Sequence, residues 1–380
     1  MKIVIVSNFY PPHVRGGAEI VASSVAEVLS LRGHEIFVLT RGTYKNFPCN
    51  IFRHERLPFF LKLFWHGFDL LNPCSDAVIR RVIREQKPDL FLTHNLKGIG
   101  VNLSRAIQRR GVFQIHTLHD LQLTCPSGLL MYGEEKSFLN RSFFRRWYEC
   151  VAMFAIGKPN VIISPSKFLI DAYHKRGMFL DSDVRVLPNP ARDSFFVAEL
   201  KDQTVVVSHP LRFLFAGQLE SHKGILFLLH VFEKLDRSCE LHIVGDGLLR
   251  SIIEQKCSRD SRIIYHGFLS TDELARQIAV SDAVIVPSLC YENSPTIIYE
   301  SFSAGVPVIA SRLGGIPELV VEGENGFLFE AGNRNQLADL LHRFSRATFD
   351  RVSIQKSAQK YALQTYVNTL ESYFSSKRNT

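Results

Sequence analysis

The stretch Pro287-Ser-Leu-Cys-Tyr-Glu-Asn-Ser-Pro-Thr-Ile-Ile-Tyr-Glu300-Ser-Phe-Ser-Ala-Gly305-Val-Pro307 decides the reading of this chain. It follows Ala283-Val-Ile-Val286, an apolar run with the composition of a buried strand, and it opens a helix, because Ser294 and Pro295 supply an N-cap and a proline at the first helical position. The free N–H groups and positive dipole end of such a helix point back toward the strand terminus, an arrangement that binds a pyrophosphate. Asn293, Ser294, Pro295 and Thr296 then border the phosphates. Glu300 falls about one and a half turns into the helix, within reach of a ribose diol. Glu292 precedes the helix and can face a sugar ring beyond the phosphates.

Outward from this junction the same alternation of strand and helix recurs. Leu211-Arg-Phe-Leu-Phe-Ala-Gly217, Leu241-His-Ile-Val-Gly245, Ile263-Ile-Tyr265, Val306-Pro-Val-Ile-Ala310 and Gly326-Phe-Leu-Phe329 read as strands of one doubly wound α/β domain. Toward the N-terminus, residues 2–6 are followed by Ile20, Val21, Val25, Val28 and Leu29 at helical spacing, then Gly33 as a C-cap and Ile36-Phe-Val-Leu39. Leu90-Phe-Leu92, Phe113-Gln-Ile-His116 and Val161-Ile-Ile163 continue a first parallel sheet. The rhythm breaks at Pro188-Asn-Pro190, and residues 191–210 hold no clean periodic segment. The expected organisation is a first Rossmann-like domain over 1–190 and a second over 191–350. A helical tail over 351–380 carries Tyr361, Tyr366, Leu370 and Tyr373 and has the first domain as a candidate packing surface. Two such domains create a cleft that the C-terminal ends of both sheets can face.

Composition bounds the function. No apolar stretch approaches the roughly 18 residues that span a bilayer, and the N-terminal run is too short for a signal-peptide core. A cytoplasmic enzyme with at most peripheral membrane contact is expected. Seven widely spaced cysteines without a CxxC read as reduced thiols. Residues 1–200 carry 26 Lys and Arg against 17 Asp and Glu, so the whole net surplus of +8 sits in the first half, which suggests an anionic partner there. Arg53, Phe59, Phe60, Lys62, Phe64 and Trp65 interleave basic and aromatic residues, as do Arg141, Phe143, Phe144, Arg145, Arg146 and Trp147. Such patches fit either an anionic membrane surface or half-buried aromatics with a solvated basic rim. No recognised motif points to nucleic acid.

Two glutamates separated by seven residues at a strand-to-helix junction, with Tyr291 and Gly314-Gly-Ile-Pro-Glu318 in register, resemble the E-x7-E signature of the retaining GT-B glycosyltransferases of family 4, the glycosyl transferases group 1. The resemblance runs from the first glycine loop to the strand at Gly326. It implies the GT-B fold of two Rossmann-like domains about a cleft, a UDP- or GDP-sugar donor, and a glycan or lipid-linked acceptor. By the same resemblance Glu292 contacts the transferred sugar and Glu300 the ribose. Gly217-Gln218-Leu-Glu-Ser-His-Lys223-Gly224 is similar to the family's Gly-Arg-Leu with a following Lys-Gly. Lys223 would then neutralise the diphosphate as charge builds on it, while Gln218 stands where arginine is frequent and leaves one charge missing. Gly16-Gly17 resembles the N-terminal glycine loop over the donor diphosphate. In Gln114-Ile-His116-Thr-Leu-His119-Asp120, His119 would contact the transferred sugar near the reacting bond.

Asp181-Ser-Asp183 imitates the DxD metal site of the other major glycosyltransferase fold, but two α/β series and a Lys-plus-helix phosphate site make a required metal or other cofactor unexpected. A nicotinamide-dependent dehydrogenase lacks support, since Gly245-Asp-Gly247 has Arg250 where the third glycine of a dinucleotide fingerprint belongs. A GT-B-fold sugar-nucleotide epimerase and a noncatalytic sugar-nucleotide-binding subunit are the remaining alternatives.

Overall fold

A computed structural model of the chain describes residues 1–13, 16–41, 66–135, 137, 143–196, 210–235 and 238–375. Arg53, Phe59, Phe60, Lys62, Phe64, Trp65 and Arg141 lie outside the described residues. The chain divides into two compact units. One holds Met1–Leu130, Glu134–Pro188 and Val367–Thr380, the other Met131–Gly133 and Asn189–Tyr366.

The first unit is built on a six-stranded parallel sheet, β1 (Lys2–Val6), β2 (Glu35–Leu39), β3 (Leu90–Thr93), β4 (Phe113–Thr117), β5 (Val161–Ser164) and β6 (Asp183–Val186), in the order β2-β1-β3-β4-β5-β6. Helices cover the sheet: α1 (Gly17–Leu31), α2 (Ser75–Gln86), α3 (Leu103–Gln108), α4 (Phe143–Ile156) and α5 (Lys167–His174). Strands buried on both faces need apolar residues at every position rather than alternate ones, which is why β1, β3 and β5 appear in the sequence as unbroken apolar runs. β6 escapes that reading because it is a largely exposed edge strand holding Asp183 and Arg185. The two acids of the DxD-like triplet are each beside a cation, Asp183 at 2.7 Å from Arg185 and Asp181 at 3.8 Å from Lys158.

The second unit repeats the architecture with β7 (Leu211–Ala216), β8 (Cys239–Val244), β9 (Ile263–Tyr265), β10 (Ala283–Val286), β11 (Val308–Ser311) and β12 (Gly326–Phe329), ordered β12-β11-β10-β7-β8-β9. Its helices are α6 (Ile225–Phe232), α7 (Arg250–Cys257), α8 (Thr271–Ala279), α9 (Thr296–Ser303), α10 (Arg334–Arg343) and α11 (Arg351–Ala358). Each unit has its own apolar core. In both sheets the polar residues of interest sit on the loops after the strands, where an open parallel sheet leaves helix N-termini and loop backbone free to meet a ligand.

The tail is shared between the units. Ile354, Ala358 and Tyr361 pack into the second core, and Tyr361 lies edge-on to Tyr299 at 4.7 Å. The last helix, α12 (Leu363–Ser375), belongs to the first unit from Val367 onward, where Glu371 meets Arg32 at 2.5 Å and His34 at 3.0 Å. Among the described residues no helix is long and apolar enough to cross a membrane. The expectation of seven reduced thiols needs correction: Cys125, Cys150, Cys239, Cys257 and Cys290 are free, but Cys74 is disulfide-bonded. Cysteine usage therefore does not indicate a reducing compartment.

Candidate active site

In the second unit the loops after β7 and β10 are locked together by backbone. After β7 the chain turns through a 3-10 segment at Ser221–Lys223 into Gly224, which has φ 74°. A Cβ there would stand 1.8 Å from the carbonyl oxygen of Pro287, so only glycine lets this turn rest on the β10 loop. Leu289 N–H also donates to His222 O at 2.9 Å. This closeness brings Lys223 Nζ to 2.6 Å from Glu292 Oε1, which also accepts from Ser288 Oγ at 3.0 Å. Glu292 is held from behind as well, its carbonyl accepting from Gly315 N–H at 2.7 Å, and Gly314 packs against it at φ 65°.

The electrostatics follow from that pairing. Burial pushes the Glu292 carboxyl up, but the charge and hydrogen bond of Lys223 and the Ser288 hydroxyl outweigh it and hold the group below its ordinary range. Burial alone would lower Lys223, and the Glu292 carboxylate more than compensates, so the ammonium is raised. The two residues assigned separate duties by sequence are thus one ion pair, 27% and 14% exposed at the side chains.

Helix α9 begins at Thr296, with Pro295 in the N-cap position and no side-chain cap. The sequence reading of Ser294 as the cap is corrected by this geometry. Ser294 is buried and its hydroxyl hydrogen-bonds the Tyr299 hydroxyl instead, while its carbonyl accepts from Asn189 Nδ2 at 3.2 Å. Asn293 is buried beside it and Thr296 is half-buried. Glu300, one turn on, is buried against a partner that sequence reasoning missed. Arg192 Nη2 donates to Glu300 Oε1 at 3.0 Å and Nη1 to Thr271 Oγ1 at 2.6 Å, while the guanidinium lies 4.8 Å from the Phe195 ring centroid. Burial raises the Glu300 carboxyl despite Arg192. Gln218 is exposed just past β7.

In the first unit, Gly16 is the N-cap of α1 with an extended backbone, and its N–H donates to Glu19 Oε2 at 2.8 Å, followed by Gly17 as the first helical residue. The buried Glu19 carboxylate therefore already occupies one donor of this helix end. His119 lies past β4, half-buried, with Nε2 3.0 Å from His94 Nδ1 and the rings stacked at 5.3 Å. Pairing of β3 with β4 in the register Thr93↔His116 makes this meeting possible, and His116 Nδ1 is 2.9 Å from Thr93 Oγ1. Burial lowers all three imidazoles, His94 to about 4, His116 to about 3 and His119 well below the ordinary value, so each is neutral near pH 7. A neutral His119 can donate or accept a hydrogen bond but is a weak base. Asp120 beside it accepts from Gln122 N–H at 2.8 Å and is raised by burial. Together with Tyr173 these side chains line a cavity at the C-terminal edge of the first sheet.

Thus the structure unites Lys223 with Glu292 and sets Asn293, Ser294, Pro295, Thr296 and Glu300 along the start of the same helix. His119, Gly16 and Gly17 belong to the first unit.

Comparison with known proteins bears on the family and the fold. Residues 15–194 match the family model described as Glycosyltransferase Family 4, and residues 210–346 match that of Glycosyl transferases group 1. An uncharacterized glycosyltransferase of Methanocaldococcus jannaschii is 34% identical, covering 89% of this chain and 87% of its own. The lipopolysaccharide 1,2-N-acetylglucosaminetransferase of Salmonella typhimurium is 28% identical over 54% of this chain and 58% of its own. Among solved structures, sucrose-phosphate synthase from Thermosynechococcus elongatus superposes with a TM-score of 0.75 at 18% identity, covering 100% of this chain and 99% of that one. The Anabaena HepE protein in complex with UDP reaches 0.71 at 19% identity, covering 99% and 100%. With both sheets, the 34% identical relative and the family models in agreement, the chain belongs to the family 4 glycosyltransferases and has the GT-B fold.

Proposed function

We infer that the chain moves a hexosyl unit from a UDP- or GDP-sugar onto a hydroxyl of a glycan or lipid-linked acceptor, with retention of anomeric configuration. The observation that carries this reading is the Lys223–Glu292 pair held beside the start of α9. A diphosphate at that helix end meets unpaired backbone N–H groups and a cation within one side chain's swing. As the anomeric C–O bond breaks, charge builds on the departing phosphate, and Lys223 can transfer part of its interaction from Glu292 to that oxygen. The acceptor oxygen bonds to the anomeric carbon on the same face, and its proton passes to the leaving phosphate. Glu292, kept ionised, accepts hydrogen bonds from hydroxyls of the transferred sugar, and Glu300 accepts from the ribose. His119 hydrogen-bonds the sugar in its neutral form. The glycines at 16 and 17 give the diphosphate room at the N-terminal loop, and Gln218 can donate an amide hydrogen bond to it. Charge neutralisation is assigned to these groups, without a metal.

The HepE protein has been solved with UDP-glucose, which supports a uridine donor, and the named activity of the Salmonella relative supports a glycan acceptor. The reading assigns the reaction to the cytoplasm, in surface polysaccharide or glycolipid synthesis. The test is a thermal-shift screen of UDP-glucose, UDP-galactose, UDP-N-acetylglucosamine and GDP-mannose, followed by proton NMR of the product made from the donor that binds. A stabilising donor and a product of unchanged anomeric configuration are expected. Interconversion of the donor with no transfer would identify an epimerase instead.

A further inference from the structure

Helix α4 is amphipathic in the inverted sense. Its exposed residues are Phe143, Phe144, Arg146, Trp147, Cys150, Met153 and Phe154. Phe143, Trp147, Cys150 and Phe154 recur at the spacing of one helical face, and the three aromatics there are 78%, 50% and 54% exposed. Arg145 and Glu149 face the other way. Arg145 is buried and donates to Glu149 at 3.1 Å, and Glu149 also pairs with Arg176. The inward face is fixed firmly: Tyr148 donates to Gln122 O at 2.9 Å, and Ala152, Ala155 and Ile156 lie in the core. An ordinary surface helix would turn these faces around.

The exposed charge on the helix itself has one sign. Among the seven exposed residues Arg146 is charged and none is acidic. Arg105 lies over the Phe154 ring at 4.1 Å and donates to Phe154 O at 2.8 Å, so a second guanidinium borders the far end of the stripe. Lys158 follows the helix and is well exposed, 3.8 Å from the equally exposed Asp181 carboxylate.

We propose that α4 is a docking helix that inserts Phe143, Trp147 and Phe154 into the interface of an anionic membrane, with Arg146, Arg105 and Lys158 at the phosphate headgroups. The composition is that of an interfacial helix, with aromatic residues at the acyl boundary and cations at headgroup level. A twofold pairing of the same face between two copies would set like charges against each other, whereas anionic lipid complements them. The inference goes beyond the transfer reaction and does not depend on it, because transfer to a soluble acceptor can persist when vesicle binding is lost.

The test is flotation of the full chain with vesicles of phosphatidylglycerol mixed with phosphatidylcholine, compared with pure phosphatidylcholine. Alongside it, fluorescence of Trp147 is read in a Trp65→Phe background, which leaves one tryptophan of the two. Expected are binding that needs the anionic lipid and weakens with salt, a blue shift of Trp147, and its quenching by brominated acyl chains. Phe143→Ser with Trp147→Ser should lower partitioning about tenfold or more, and Arg146→Glu about fivefold or more at low salt. Circular dichroism should be unchanged, since these side chains are exposed. No binding to anionic vesicles, or binding indifferent to both variants, overturns the proposal. So does dimerisation without lipid that the double variant abolishes.

Discussion

Arg192 reaches from just past the break between the two sheets to Glu300 in helix α9, 108 positions along the chain, and donates to its carboxylate at 3.0 Å. The same guanidinium holds Thr271, so one side chain ties the start of the second unit to α8 and α9.

Replacing Arg192 with alanine leaves Glu300 buried without its cation and favours the protonated carboxyl. Nucleotide affinity should fall about tenfold, with a stability loss of about 1–3 kcal/mol. Calorimetric titration with UDP and urea unfolding measure the two effects. An unchanged dissociation constant beside a lowered stability would reduce the pair to a structural tie.

Glu292→Gln and Lys223→Ala should each lower turnover by about a hundredfold or more. Because each substitution also leaves its partner without an opposite charge, the double variant should be little worse than either single one. Single-turnover rates with saturating donor decide this. Two losses that simply multiply would mean that the residues act independently despite their 2.6 Å contact.

A Cβ at Gly314 would lie 2.1 Å from the carbonyl oxygen of Glu292, and its φ of 65° disfavours any side chain. Gly314→Ala should therefore cost about 2 kcal/mol or more and displace the Glu292 backbone. Loss of activity greater than loss of folded protein, measured by thermal melts and initial rates, is the expected outcome. An alanine variant with normal rates would show that this loop tolerates movement.

Buried neutral histidines make the first unit acid-sensitive. His116 is held to about 3 against an ordinary 6.5, so the unfolded chain binds its proton first as pH falls. Its contribution is fully present above about pH 6.5 and is lost progressively below that, at about 1.4 kcal/mol per pH unit until the folded value is approached. His116→Gln should flatten the decline of urea-unfolding stability between about pH 6 and 4 by that slope. An identical slope in both proteins would contradict the buried, neutral assignment.

Most strands were legible because burial on both faces forces continuous apolar runs, and β6 was not because an exposed edge strand needs none. Lys223, Glu292 and Glu300 stood in local patterns of residue type and spacing. Arg192 lay in an aperiodic stretch, with its partner set by the fold rather than by spacing. His94 could have been found by placing the ends of β3 and β4 side by side, since residues that follow paired parallel strands emerge together. Ser294 was misread for a different reason. A serine before proline has the form of a cap, but a buried tyrosine hydroxyl five residues on competes for it.

Met131–Gly133, three residues flanked on both sides by segments of the first unit, count with the second. Tyr132 N–H donates to Leu289 O at 2.9 Å, and Met131 bridges Cys290 in antiparallel fashion, two residues before Glu292. Modular dissection at a single cut is thereby frustrated: a fragment expressed from Asn189 onward would leave the backbone of residues 289 and 290 without its donated splint. Transplanting the second unit onto another protein would have to bring this short piece of chain with it.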